Sequence, residues 1–238
     1  MDDTIKLTLL GDFAISVGGD PLPALPTASQ RLLAFLAVED RSVTAAQVAR
    51  TLWPESSDER AAGSLRSALA HLGNPARRAV RISATDLDLA EGVAVDLNRS
   101  RSLARRLVDG DARPVRDDLG AAAVSTLSKD LLPGWYDDWA LMAAAQWDHL
   151  RLPALEAVTA HLTDADRLPE AAAAALAAVR AEPLRETART ALIRVRMAEG
   201  NDAEARAEFE RYRVLLHDQL GIEPTSRLKK LHSTLEGR

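Results

Sequence analysis

The sequence contains no cysteine. This absence excludes a disulfide framework, thiolate zinc fingers, iron–sulfur ligation and a cysteine nucleophile, and it is typical of a reducing cytoplasm. Long apolar runs are also missing. The longest uninterrupted apolar run near the middle of the chain, residues 140–145, is far shorter than the ~20 residues that span a bilayer. The acidic start Met1-Asp2-Asp3 lacks the basic residues of a signal peptide. We therefore expect a soluble cytoplasmic protein without a membrane partner.

The motifs of common enzyme classes do not occur either. No glycine is followed by lysine, which excludes a Walker A loop, and G-x-S-x-G, H-E-x-x-H and G-x-G-x-x-G are absent. The 5 histidines are scattered, and none has a partner at metal-ligand spacing. Asp137 and Asp138 are adjacent, so on a helix they point apart and are typical of a helix start. We expect no enzyme, no metal and no cofactor; a metal-free hydrolase is an alternative that rests only on the presence of Asp, His and Ser.

Charge is distributed unevenly along the 238 residues. The net charge is −5, and residues 1–97 carry 9 basic against 13 acidic side chains. Within that acidic part, residues 60–85 contain 5 arginines and no carboxylate. Because net charge says little about local fields, the basic stretch is compatible with a polyanionic partner. The hydrophobic content of 47% suffices for a packed core in one large domain or two smaller ones.

The first third of the chain combines strand and helix signals. Two β-prone runs, three helices, a turn and a hairpin are predicted in the order 5–10, 13–17, 28–38, 45–53, 57–72, 73–75 and 79–90. Each helix begins beside a pair with capping-box spacing: Thr27 and Gln30, Thr44 and Gln47, Ser56 and Glu59. This order predicts a winged-helix domain with an additional N-terminal sheet over residues 1–97.

The remainder of the chain is predicted to be helical, at 98–107, 115–127 and 136–163 and then through an internal repeat. The pattern Glu170-Ala171…Ala175…Ala178 recurs 34 residues later as Glu204-Ala205…Phe209…Tyr212. Pro183 lies where one helix pair ends and the next begins. This period is typical of tetratricopeptide repeats, in which helix hairpins stack because one pair alone cannot bury its apolar face. The chain is therefore predicted to be mainly α with a small β component, and residues 98–238 to form the second, tetratricopeptide-like domain.

The third predicted helix carries the candidate binding residues. Its apolar stripe spans about 120° and must face the core, whereas the opposite face holds hydroxyls and cations without an acid: Arg60, Ser64, Arg66, Ser67 and His71. A helix in the major groove needs small residues for close approach and donors for phosphates and base edges. The hairpin after it places Arg77, Arg78 and Arg81 where a wing meets the minor groove or the backbone. An ordinary solvated face is the alternative.

Three tryptophans form the aromatic cluster of the sequence. Trp139 and Trp147 are eight residues apart and share one helix face, and Trp135 precedes that helix. We expect these side chains to pack in a core or between domains, because apolar stripes usually face inward. A contact with a protein partner is the alternative.

Seven segments together carry a resemblance to a known family: 7–13 (LTLLGDF), 44–54 (TAAQVARTLWP), 63–69 (GSLRSAL), 92–97 (GVAVDL), 132–139 (LPGWYDDW), 183–186 (PLRE) and 220–225 (LGIEPT). With them the chain resembles the antibiotic regulatory proteins of actinomycetes, in which an OmpR-type winged helix precedes a helical bacterial transcriptional activation domain. Tetratricopeptide repeats alone do not supply the last three segments. The resemblance covers nearly the whole chain.

The resemblance implies a transcriptional activator of an antibiotic gene cluster, associated with the nucleoid. Its protomers would bind side by side, as a homodimer, on direct repeats in double-stranded promoter DNA and recruit RNA polymerase holoenzyme. The family's recognition-helix role is carried onto Arg60, Ser64, Arg66, Ser67 and His71, and its wing role onto Arg77, Arg78 and Arg81. By resemblance alone, the polymerase contact is expected at Trp53, Glu55 and Ser56. The alternative is an adaptor that has lost DNA binding and acts through its helical repeats.

Overall fold

A computed structural model describes residues 4–109 and 115–236 of the chain. Within them, two compact units are formed, one from residues 4–100 and 130–147 and the other from 101–109, 115–129 and 148–236. Helices predominate and the sheets are small, so the prediction of a mainly α protein with a small β component is confirmed.

The first unit begins with a four-stranded sheet in the order β3-β2-β1-β7. Its strands are β1 (Ile5–Thr8), β2 (Ala14–Val17), β3 (Asp20–Pro21) and β7 (Ala94–Val95). β1 pairs antiparallel with β2, with Leu7 opposite Ile15, and parallel with β7. Leu7 and Ile15 are buried, which gives the sheet one apolar face.

Three helices and a second sheet follow. The helices are α1 (Thr27–Glu39), α2 (Ala45–Leu52) and α3 (Asp58–Ala70); a short α4 (Gly73–Arg77) comes next. The sheet has the order β4-β6-β5, with β4 (Val43–Thr44), β5 (Val80–Ile82) and β6 (Asp86–Leu89). The predicted hairpin is therefore confirmed as β5 and β6. The predicted turn at 73–75 is wrong in detail, because those residues form the start of α4. The first residue of this helix, Gly73, has a φ of 68°.

Only one of the three expected capping hydroxyls acts as a cap. Thr44 Oγ1 accepts a hydrogen bond from the Gln47 amide at the start of α2. Thr27 is instead the first residue of α1, where the Pro26 carbonyl accepts from the amides of Ser29 and Gln30. The residue before α3 is Ser57 rather than Ser56, and its side chain makes no cap hydrogen bond.

The segment 130–147 belongs to the first unit, although it lies within the second domain predicted from the sequence, residues 98–238. Two main-chain hydrogen bonds join this segment to the first unit: the Gly11 amide donates to the Asp130 carbonyl at 2.8 Å, and the Leu132 amide donates to the Leu9 carbonyl at 2.9 Å. No local sequence pattern predicts them. Both carboxylate oxygens of Asp96, the first residue of α5 (Asp96–Val108), accept from the amides of Leu9 and Leu10.

The tryptophans lie in the same unit. Trp139, near the start of α7 (Asp138–Asp164), packs edge-on against Phe35 with ring centroids 5.4 Å apart. Trp135 lies 6.0 Å from Trp139. Trp139 and Trp147 are both buried, which confirms the expectation that they pack in a core.

The second unit is helical in the residues described. It begins with the later part of α5, a 3-10 turn (Arg116–Leu119) and α6 (Ala121–Leu127). The later part of α7 then leads into α8 (Leu168–Ala181), α9 (Glu186–Ala198), α10 (Asp202–Leu220) and α11 (Ser226–Glu236). Neighbouring helices from α8 to α11 pack on one another. Their core includes Ile193, Phe209, Tyr212 and Leu228.

The 34-residue repeat has a structural counterpart. Ala171, Ala175 and Ala178 of α8 are fully buried, and so are the residues 34 positions later in α10, Ala205, Phe209 and Tyr212, at 5% exposure or less. α8 ends at Ala181, two residues before Pro183. The two helices therefore bury equivalent faces, which supports the predicted repeat.

Candidate nucleic-acid interface

The orientation of α3 is set by its buried face. Ala61, Leu65 and Ala68 point into the core of the first unit. The buried hydroxyl of Ser29 in α1 donates to the carbonyl of Ala68 at 2.8 Å, which ties the end of α3 to α1. Sequence periodicity did not indicate Ser29, because a buried serine on an apolar helix face has no distinctive pattern. With this face held, the opposite side of α3 is presented outward.

The outward side of α3 carries the cations that the sequence predicted. Arg60, Arg66, Ser67 and His71 are exposed, and Ser64 is half-buried. Neither Arg60 nor Arg66 has a hydrogen-bond or ion-pair partner among residues 4–109 and 115–236. Asp58 and Glu59 occupy the first turn, where acids favour the positive end of the helix dipole. The two arginines are therefore available to an anionic partner.

His71 is held against its own helix. Its Nδ1 lies 2.7 Å from the Ser67 carbonyl oxygen and 3.3 Å from Ser67 Oγ. Because a carbonyl oxygen only accepts, the proton of this bond resides on Nδ1. The Nε2 atom is then the position from which His71 reaches other groups.

The hairpin differs from the expectation of a carboxylate-free surface. Arg81 faces Asp88 across the two strands, with Nε to Oδ1 at 2.9 Å and Nη2 to Oδ2 at 2.5 Å. Glu91 Oε1 lies 3.8 Å from Nη1 of the same arginine. These hydrogen bonds raise the pKa of Arg81 and lower the pKa of Asp88 below its usual range. Arg81 is thus paired with acids of its own unit. The pairing of β5 with β6 places carboxylates that follow the basic stretch in sequence next to this arginine.

The other two wing candidates lie at the end of α4. Arg77 is half-buried, and its Nη1 donates to the Val80 carbonyl at 2.8 Å. Arg78 is exposed and lines a surface cleft together with Thr4 and Glu91. The three arginines of this region therefore have three different environments, and they do not form the uniform cationic surface that the sequence suggested.

A cavity lies between α3, α2 and the β5–β6 hairpin. It has a volume of about 330 Å³ and is lined mainly by apolar groups, with Arg50, Asp58, Arg66 and Ile82 around it. Arg50 is exposed and has no partner within the described part of the chain. Sequence reasoning missed Arg50, although the inward positions of Val48, Ala49 and Leu52 indicate which face of α2 it occupies. The structure thus adds Arg50 to the side of α3 that carries Arg66.

The loop between α2 and α3 is anchored at its start. Trp53 is half-buried and donates its amide to the Ala49 carbonyl at 3.0 Å. The Ser56 amide donates to the Trp53 carbonyl at 3.1 Å, which forms a tight turn. Glu55 is exposed at its tip. The Arg31 guanidinium contacts the Leu52 carbonyl and the Asp137 carboxylate, so the root of the loop is connected to the segment before α7.

Metal-ion clusters and membrane-spanning helices are both absent from the described residues. Those residues contain no group of three or more His, Cys, Asp or Glu side chains arranged to hold a metal ion. Among the same residues, no helix has the length and apolar character needed to cross a membrane.

Comparisons with known proteins give a consistent family. A model described as "Bacterial transcriptional activator domain" matches residues 95–236. The regulatory protein AfsR of Streptomyces coelicolor is 29% identical over an alignment of 240 residues, which covers 97% of this chain and 24% of that protein. AfsR of Streptomyces griseus is 27% identical over 98% of this chain and 24% of the relative. The chain thus spans about a quarter of the length of the curated relatives it matches.

A solved structure has the same fold. Mycobacterium tuberculosis EmbR, determined in complex with a low-affinity phosphopeptide, matches with a TM-score of 0.72 and 20% identity. The match covers 98% of this chain and 65% of that chain. At this identity the likeness concerns the fold alone. The family match over residues 95–236 confirms the resemblance to bacterial transcriptional regulators at the coarser level.

Proposed function

The chain belongs to the bacterial transcriptional activator domain family, and from this premise we propose that it is a transcriptional activator that binds double-stranded promoter DNA. Residues 1–97 are assigned as a winged helix-turn-helix domain of the OmpR type, and 98–238 as a helical activation domain with tetratricopeptide-like repeats. The order of α1 to α3 and the β5–β6 hairpin supports the first assignment. The equivalent buried faces of α8 and α10 support the second.

The observation that carries the proposal is the unpaired cationic side of α3. Arg60 and Arg66 have no partner within the described chain, and the half-buried Ser64 leaves room for close approach. In the major groove, the arginines would bind phosphates, while Ser67 and the Nε2 of His71 would contact base edges. Arg50 of α2 would add a phosphate contact beside Arg66.

The hairpin is assigned a smaller role. Arg78 is exposed and is proposed to contact the backbone or the minor groove. Arg77 and Arg81 already donate to the Val80 carbonyl and to Asp88. Both would therefore have to exchange an internal partner for a phosphate, which reduces the free energy gained on binding.

The wider role follows the family resemblance. Protomers would pair on direct repeats, and Trp53, Glu55 and Ser56 would contact RNA polymerase holoenzyme, with an antibiotic gene cluster as the regulated target. The protein would act in the cytoplasm at the nucleoid. The proposal includes no catalytic activity, no cofactor and no membrane partner.

The test is the salt dependence of DNA binding. DNA duplexes selected from a random-sequence pool would be titrated with the chain, and binding would be followed by fluorescence anisotropy between low and moderate salt. Because each phosphate contact contributes about 0.9 to the log–log slope, Arg66→Ala and Arg60→Ala should each reduce its magnitude by that amount. Arg41→Ala is the matched control, since Arg41 is exposed but pairs with Glu39 at 2.6 Å. An unchanged slope in both α3 variants would contradict the proposal.

One observation favours the adaptor as a second candidate. Arg81 is neutralised by Asp88 and Glu91, and the first 97 residues carry 13 acids against 9 bases. If DNA binding has been lost, no selected fragment should be retarded even at low salt. Retardation at low salt that decreases with the Arg66→Ala substitution excludes this alternative.

A further inference from the structure

The helix α1 is hydrogen-bonded to both helices of the α2–α3 pair. The Ser29 hydroxyl donates to the carbonyl of Ala68 near the end of α3. Two residues later, Nη2 of Arg31 donates at 2.7 Å to the carbonyl of Leu52, the last residue of α2. The placement of α2 beside α3 therefore depends on where these two side chains of α1 are held.

Arg31 has a further contact, with an acid that lies far away in the sequence. The same Nη2 pairs with the carboxylate of Asp137, the residue before α7. The two side chains are only 21% and 24% exposed, so solvent screens the pair weakly. Among the described residues, Asp137 is the one acid that pairs with this guanidinium, and Arg31 Nε is buried without a hydrogen-bond partner. Removal of the Asp137 charge would leave the arginine largely buried and uncompensated.

Asp137 is anchored by the segment around it. Five residues before it, the Leu132 amide donates to the Leu9 carbonyl at 2.9 Å. Two residues after it, the buried Trp139 packs edge-on against Phe35 of α1. Because the chain is held on both sides, the carboxylate has a fixed position. Its attraction for the guanidinium fixes Arg31 as well.

The end of α2 carries this constraint to the candidate interface. After Leu52 the chain makes a tight turn and enters α3. Arg50 lies two residues before Leu52 and lines the same cavity as Arg66 of α3. A shift of this end of α2 would move Arg50 relative to α3, and with it the depth at which Ser67 and His71 meet base edges. Phosphate contacts set the orientation on DNA, whereas base contacts give specificity and require accurate placement.

We propose that Asp137 and Arg31 are positioning residues of the DNA-binding surface. Asp137 fixes Arg31, Arg31 fixes the end of α2, and α2 sets the orientation in which α3 meets the groove. The inference rests on the proposed DNA binding for its functional consequence. Residue 137 lies outside residues 1–97, the assigned winged-helix domain, and within residues 95–236, which match the activator domain family. A residue of the activator region would therefore take part in sequence recognition.

The test compares two neighbouring aspartates in the full chain. Asp137→Asn removes the charge that holds Arg31. Asp138→Asn is the matched control, because Asp138 is exposed and has no partner in the described residues, so the change of charge is the same without loss of a contact. Asp137→Glu is the conservative variant, which keeps the charge. Arg31→Gln serves as the background in which Asp137 should no longer matter.

Binding is measured for a duplex selected from a random-sequence pool and for a scrambled duplex of the same length and composition. Asp137→Asn should weaken binding of the selected duplex about tenfold and that of the scrambled duplex less than about twofold, because non-specific binding depends mainly on charge. Asp138→Asn and Asp137→Glu should keep the ratio of the two affinities. In the Arg31→Gln background, Asp137→Asn should change the ratio less than about twofold.

The ratio separates positioning from a loss of stability. Partial unfolding lowers the concentration of active chain, so it weakens binding of both duplexes equally and leaves the ratio unchanged. If the unsubstituted chain binds the selected duplex and the ratio is the same in Asp137→Asn, the proposal is overturned. A ratio that falls equally in Asp138→Asn overturns it too, because the effect would then follow the charge alone.

A second measurement does not need DNA. In ¹H–¹⁵N spectra of the free chain, Asp137→Asn should shift the amides of Trp53 and Ser56 and those of α3, whereas Asp138→Asn should shift only amides close to itself. Shifts in Asp137→Asn that are confined to α1 and residues 130–141 would overturn the proposed positioning. If the unsubstituted chain binds neither duplex, the DNA-binding proposal fails, and these spectra still decide whether Asp137 positions α2 and α3.

Discussion

The arginines of α3 and four arginines of the second unit differ in what they contact. In the second unit, Arg185, Arg189, Arg196 and Arg213 each pair with a glutamate at 2.6–3.0 Å. On α3, Arg60 and Arg66 have no such partner within the described residues. The sequence shows arginines at high density in both places. Only the fold determines which of them are already paired, and therefore which are available to a partner.

Arg81 is an intermediate case. It is about half exposed, like an interface residue, yet it forms two hydrogen bonds with a carboxylate that is largely buried. This arrangement orients the guanidinium and also competes with any phosphate for it. Changing the partner of one side chain at a time makes the difference between paired and available groups measurable.

The largest effect is expected for the ion pair between Arg189 of α9 and Glu208 of α10. Glu208 is 8% exposed and accepts from Arg189, itself 13% exposed, at 3.0 Å and from Arg211 at 2.7 Å. Glu208→Gln removes the charge that compensates Arg189, so the free energy of unfolding should fall by about 3 kcal/mol. Urea denaturation followed by circular dichroism measures the change.

Glu210→Gln provides the matched control for that experiment. Glu210 pairs with Arg213 at 2.9 Å, but the two side chains are 50% and 42% exposed. The loss should stay below about 1 kcal/mol, because exposed ion pairs contribute little. Equal losses in the two variants would mean that burial does not distinguish these pairs.

The second prediction concerns Arg81 and depends on the DNA-binding proposal. Asp88→Asn removes the carboxylate that engages Arg81 and makes this arginine available to a phosphate. The salt slope of DNA binding should then become steeper by about 0.9. Asp86→Asn removes a charge from the same strand without releasing an arginine, since the Asp86 carboxylate accepts only from Thr85 Oγ1 among its described contacts. If both variants change the slope equally, the pairing of Arg81 has no effect on DNA binding.

The sequence predicted local features well and long-range partners poorly. Helical periodicity identified α3 and its outward residues, because the 3.6-residue period depends only on neighbours along the chain. It did not identify the Ser29–Ala68 hydrogen bond, the Arg81–Asp88 pair or the contact of residue 11 with residue 130. Each of these depends on tertiary packing or on strand register. The absence of carboxylates from residues 60–85 holds along the chain. As a prediction for the surface around Arg81 it is wrong, because Asp88 and Glu91 lie there.

The third prediction compares two threonines that the sequence treats alike. Thr44 Oγ1 accepts from the Gln47 amide at 3.2 Å, whereas Thr27 lies inside α1 and has no cap hydrogen bond. Thr44→Ala should therefore lower the free energy of unfolding by about 1 kcal/mol. Thr27→Ala should stay within about 0.5 kcal/mol, as most exposed substitutions do. Thermal unfolding of both variants decides, and a larger loss for Thr27→Ala would contradict the assignment of the caps.

The smallest effect concerns the pH dependence of the hairpin. The hydrogen bond from Arg81 lowers the pKa of Asp88 in the folded state. A lowered folded-state pKa contributes stability that is present above the unfolded-state value of about 3.9 and is lost as the pH falls through the folded value. The effect is small because Arg81 is 54% exposed and solvent screens the pair.

A double-mutant cycle isolates this contribution. Arg81→Ala, Asp88→Asn and the double variant are compared with the unsubstituted chain by urea midpoint at pH 7 and at pH 2. The coupling between the two positions should be favourable at pH 7, where Asp88 is ionised, and should weaken towards pH 2 as the pH falls through the lowered pKa of Asp88. A coupling that persists unchanged at pH 2 would mean that packing of the two side chains, rather than their charges, joins β5 to β6 at this position. Arg81 would then be electrostatically as available as Arg66, and the distinction between the hairpin and α3 would no longer hold.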